Sequence, residues 1–168
     1  MTGAKGINLW ASFRTPPPQR SARLYQTLVN TGLASAVNGS YIPTRHPFLY
    51  TISLTATEGI ALDALETAAL AEIDRVRTGG VTAAELAKAK RQLRARLVFE
   101  NDSITNIAHQ LGFFATIADW QFVPAIADRL EAVTLDQVNA VAASRLIAAN
   151  RTVGWFDPVD DGPGAAAA

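Results

Sequence analysis

The sequence predicts an α+β fold, an antiparallel sheet with helices packed on one face. Three observations predict it. Two short segments with period-2 patterning lie close enough in the chain to pair as a hairpin. A block of helical periodicity follows, from residue 62 to residue 146. Strands and helices therefore come in separate runs, which is the order of an α+β fold and not of alternating parallel units.

The chain has 168 residues, the size of one domain. It is read as an N-terminal segment over 1–20, a lobe over 21–156 and a disordered tail over 157–168. In the first segment Ile7–Phe13 is a candidate strand, and Pro16-Pro17-Pro18 between Arg14 and Arg20 forms a stiff extended linker. Ser21 to Thr31 reads as a short helix stopped by Gly32.

Ser35–Tyr41 is the first strand of the hairpin. In the second, Phe48, Tyr50, Ile52, Leu54 and Ala56 alternate with Leu49, Thr51, Ser53, Thr55 and Thr57. The first set makes an apolar face for helices, and the second is free to meet water or a partner. Pro43-Thr44-Arg45-His46-Pro47 has the chemistry of the connecting turn.

Leu62, Leu65, Ala69, Ile73 and Val76 form one helical stripe, closed by Gly79-Gly80. Thr82 and Glu85 make a capping box that opens a helix with Leu86, Ala89, Leu93 and Leu97 on one side. Ser103 caps a helix carrying Ile104, Ile107, Ala108, Leu111, Phe114 and Ala118. A further helix over Phe122–Leu130 tolerates Pro124 because it falls near the start. Thr134 and Gln137 form a second capping box, for a helix through Leu146, and Arg151–Phe156 reads as a last strand.

Composition excludes several kinds of function. Lys plus Arg and Asp plus Glu are 15 each, so no net field draws the chain to nucleic acid or an anionic membrane. There is no cysteine, hence no disulfide, thiolate zinc site or cysteine nucleophile. No apolar run reaches the roughly 18 residues of a membrane span. The N-terminus lacks the pattern of a secretory signal, leaving cytoplasm and periplasm both open.

No catalytic motif is visible. The histidines are His46, in the turn, and His109, on a helix, and neither H-E-x-x-H nor H-x-x-E-H occurs. There is no serine-nucleophile elbow and no phosphate-binding glycine loop. Lys88, Lys90, Arg91, Arg94 and Arg96 read as a solvated helix side rather than an anion site, since no aromatic residues interleave with them. Trp120 and Phe122 read as helix-junction packing.

A family likeness extends this reading. Ala22-Arg23-Leu24-Tyr25-x-x-Leu28-Val29, then Gly32-Leu33-Ala34-Ser35-Ala36-Val37, is followed in order by Phe48–Ile52 and Gly80-Val81-Thr82-x-x-Glu85-Leu86-x-x-Ala89-Lys90. Glu131-Ala-Val133-Thr134 and Asn150-Arg151-Thr152-Val153 complete the series. These phrases resemble the second lobe of pitrilysin/insulinase-like zinc metallopeptidases of the processing-peptidase type, over about residues 21–156. The resemblance implies the metallohydrolase-lobe (LuxS/processing-peptidase-like) architecture. It also implies a lobe with no zinc of its own, closing a peptide-binding chamber against a partner lobe whose H-x-x-E-H holds the metal.

The implied partners are that zinc-bearing lobe or subunit, the peptide substrate and a second copy of the chain. Active pairs of lobes often present an Arg and a Tyr from the corner between helix and strand; here the matching positions are Leu28 and Ser35. Ser35, Asn38, Ser40 and Tyr41 are then the polar groups nearest a peptide cleft. An assembly lobe that never touches peptide and a self-sufficient hydrolase are the competing readings.

Overall fold

The structure, a computed structural model, describes residues 22–46, 48–100 and 103–156. The candidate strand Ile7–Phe13, the proline linker and the tail from residue 157 lie outside the described residues. Five helices and two strands make up the described chain: β1 (Ala34–Tyr41), β2 (Tyr50–Ala56), α1 (Leu62–Gly79), α2 (Ala83–Glu100), α3 (Ile104–Ile117), α4 (Phe122–Ala132) and α5 (Leu135–Arg145). A π-helical turn, Tyr25–Val29, precedes β1, and a short 3-10 turn, Ala148–Asn150, follows α5. Strands in one run and helices in another confirm the α+β class.

Two compact units divide these residues. The first draws on the chain up to Ile42, on Tyr50–Glu72 and on the segment from Thr152; the second on Pro43–Leu49 and Ile73–Arg151.

In the first unit β1 and β2 form an antiparallel pair, with Val37 opposite Leu54, Asn38 opposite Ser53, Ser40 opposite Thr51 and Tyr41 opposite Tyr50. Its core is Leu28, Ala34, Val37, Leu65 and Ala69, with Leu54, Ala56 and Ile60 packed against it. Ala34 and Val37 are three residues apart, so a regular strand would aim them at opposite faces. A bulge between Ala34 and Ala36 removes the conflict: Ala34 pairs with Ala56 and Ala36 with Thr55, leaving Ser35 as the extra residue. Both residues thereby reach the core, at 2% and 4% exposure.

Leu65 and Ala69, one turn apart on α1, seal this face of the sheet, and Leu28 is fully enclosed. Burying a leucine contributes about 1.5–3 kcal/mol, so Leu28 is a principal tie between the π-helical turn and the sheet. Glu72 is also buried, and its carboxylate accepts a hydrogen bond from Thr27 Oγ1 at 3.4 Å.

The second unit shows the predicted caps. The Thr82 N–H donates to Glu85 Oε2 at 2.7 Å, and the Glu85 N–H donates back to Thr82 Oγ1 at 3.2 Å. Thr134 and Gln137 make the same reciprocal pair at α5, and Ser103 Oγ accepts from the Asn106 N–H. Phe114 on α3 stacks on Phe122 of α4 at 4.9 Å, and the Arg129 guanidinium lies 4.5 Å from the centre of the Phe122 ring. Phe122 is thus the junction residue expected, whereas Trp120 is 55% exposed.

One expectation needs correction, and two helices bury less than their apolar residues suggest. Arg151–Phe156 is exposed, non-helical chain outside the two-stranded sheet. Within the first unit, Trp155 Nε1–H donates to Glu66 Oε2 at 2.7 Å. Apolar residues in such a segment mark a side that packs, but a strand is made by its backbone ladder, which pattern alone does not specify. On α2, Leu86 and Leu97 are half-buried, but Ala89 and Leu93 are exposed. On α3 the buried line runs through Gln110 and Phe114, while Ile104 is 88% exposed.

Candidate functional site

The polar side of the β1–β2 hairpin is the candidate site. Alternation from the Val37–Leu54 pair sets Ala36, Asn38 and Ser40 of β1 on the side away from the core, beside Thr55, Ser53 and Thr51 of β2. Asn38, Ser40 and Thr55 are exposed, and Ala36, Thr51 and Ser53 are half-buried. Two threonines, two serines and an asparagine supply hydrogen-bond donors and acceptors without charge. Neither strand contains a titratable side chain other than Tyr41 and Tyr50.

The four residues singled out in the sequence therefore divide. Asn38 and Ser40 share the polar side. Tyr41 lies on the opposite side, at the end of the hairpin and across from Tyr50. Ser35 sits in the bulge, its Oγ donating to Thr55 O at 3.2 Å. That bond joins the extra residue to the partner strand. Thr51, Ser53 and Thr55 complete the polar side; their alternation with apolar neighbours was the signal for them, and only the register joins them to Asn38 and Ser40.

Tyr50 leans across the strand. A Cβ on Gly39 would stand 2.6 Å from the Tyr50 hydroxyl, so the glycine makes room for the ring. Tyr50 keeps 59% of its surface exposed. Burial of its hydroxyl end nevertheless pushes the phenol pKa above the ordinary 10.0.

The corner before β1 offers no charged group. Leu28 is enclosed in the core, and Gly32, at φ +80°, turns the chain into the strand. Thr31 Oγ1 returns to Thr27 O at 2.6 Å. The bonds in this corner serve the turn itself.

A zinc ion needs three or four converging nitrogen, oxygen or sulfur ligands. Among the described residues no group of three or more His, Asp or Glu side chains converges. His46 and His109 are both exposed. The described histidines and carboxylates therefore stand apart rather than as a ligand set. The basic run of α2 is partly engaged in packing. Lys90 Nζ donates to Glu131 O at 2.7 Å, in the last turn of α4, where carbonyls carry negative dipole charge. Arg94 lies 3.5 Å from the Glu131 carboxylate.

The Gly80-Val81-Thr82-x-x-Glu85 phrase has a structural explanation. Gly80 adopts φ +70°, and a Cβ there would meet the Asn139 side chain at 2.8 Å. Asn139 Oδ1, from α5, accepts the Val81 N–H at 2.8 Å. Thr82 and Glu85 then start α2. Gly80, the Val81 N–H, Thr82 and Glu85 all serve this turn and the helix start. Asn139 was not singled out in the sequence; an asparagine inside a helix, where its propensity is poor, was the available signal.

Fold and site together define an α+β lobe whose described residues assemble no metal ligands. Residues 11–93 match the family model described as the peptidase M16 inactive domain.

Solved structures agree. A candidate zinc protease from Bordetella pertussis Tohama I superposes with a TM-score of 0.76 at 25% identity, covering 84% of this chain and 79% of that one. The inactive peptidase domain of a candidate zinc protease from Bordetella parapertussis gives 0.77 at 24% identity, over 85% and 78%. A protease from Helicobacter pylori shares the fold with a TM-score of 0.68 at 20% identity, over 75% of this chain and 31% of its own. No curated protein matches the chain. No helix among the described residues is long and apolar enough to cross a membrane.

Proposed function

We propose that this chain is a non-catalytic lobe that forms part of a peptide-binding chamber with a zinc-bearing partner lobe. The observation that supports this most is the match of residues 11–93 to an inactive peptidase domain. The partner lobe would hold the zinc, which would supply Lewis-acid activation of water and of the scissile carbonyl. This chain contributes a wall. Asn38 both donates and accepts, and the hydroxyls of Ser40, Thr51, Ser53 and Thr55 do the same for the amides of an extended peptide. Ser35 and Tyr41 stand at the margins of that wall. Exposed apolar side chains, Val98, Phe99 and Ile104 among them, favour association with the partner lobe or a second copy.

The experiment is reconstitution with a lobe that carries H-x-x-E-H, sought in the neighbouring coding sequence. The chain alone is expected to bind no zinc and cleave no peptide; added to the partner lobe, it is expected to raise cleavage. Stoichiometric zinc with peptide turnover in the isolated chain would overturn the proposal. A stable complex that cleaves no faster than the partner alone would make this an assembly lobe.

A further inference from the structure

We draw no further inference here: the strongest candidate, the outward side of α2 where Arg91, Ala95, Val98 and Phe99 stand exposed, carries nothing because nothing in the structure shows what covers it.

Discussion

Single residues fix the geometry at two places. At Gly80, a side chain is strained by the left-handed backbone, at about 1–2 kcal/mol, and also collides with Asn139. Gly80→Ala is therefore expected to lower stability by at least about 1–2 kcal/mol, read from the midpoint of urea unfolding. Asn139→Ala leaves the part-buried Val81 N–H without its acceptor, a loss of about 1–3 kcal/mol. Because both changes break one contact, the double variant should lose less than the sum of the single losses; strict additivity would show that the two residues act separately. Tyr50 makes one contribution to alkaline behaviour. Its raised pKa means that the folded state holds the phenolic proton longer than the unfolded state does. The associated stability is whole below pH 10.0 and falls as pH climbs through the raised value. Tyr50→Phe should remove that part of the decline, measured by unfolding at pH 9 and at pH 11. An equal alkaline decline in both proteins would rule the tyrosine out. Neither device could be read from its residue alone. Gly80 announced a turn, but the asparagine that crowds it lies 59 positions along the chain, and composition holds no record of such pairings.

At the level of elements, what was legible is what depends on near neighbours. The alternation from Phe48 to Thr57 marked a strand that forms over Tyr50–Ala56, Thr82/Glu85 and Thr134/Gln137 identified helix starts, and Ser103 capped where expected. The bulge escaped, because one extra residue leaves no compositional trace and only burial of both Ala34 and Val37 reveals it. Arg151–Phe156 failed for a related reason: its apolar pattern names no partner for its backbone. The bulge makes a sharp forecast. Ser35→Ala removes an exposed hydroxyl bond and should change stability by less than about 1 kcal/mol. Deleting Ser35 brings Ala34 to two residues from Val37, so a regular strand keeps both on the core face with the Ala56, Thr55 and Leu54 pairing unchanged. The deletion should therefore be tolerated nearly as well as the substitution, and a thermal midpoint far below that of Ser35→Ala would refute the role given to the bulge. Leu28→Ala sets the scale, since emptying so enclosed a site is expected to cost about 2–5 kcal/mol.

For the whole molecule, the division of labour between faces of the hairpin is what joins fold to function. One face is committed to α1 and the Leu28 core, so its substitutions register as stability. The other carries Asn38, Ser40, Thr51, Ser53 and Thr55, which the core does not need. Half of this was readable in advance, because period-2 patterning separates apolar from polar residues; the pairing of Asn38 with Ser53 and of Ser40 with Thr51 required the register. If the polar face lines a peptide chamber, Asn38→Ala and Ser40→Ala each remove one hydrogen bond to substrate, about 0.5–1.5 kcal/mol. In the reconstituted pair of lobes this predicts a fall in kcat/KM of about two- to tenfold for each variant. Thermal unfolding of the chain and its affinity for the partner lobe should stay as they were, because both residues are exposed and outside the core. A drop in cleavage that follows weaker lobe association would instead place these residues at the lobe interface. Unchanged cleavage in the double variant, with the complex intact, would remove the polar face from the peptide's path.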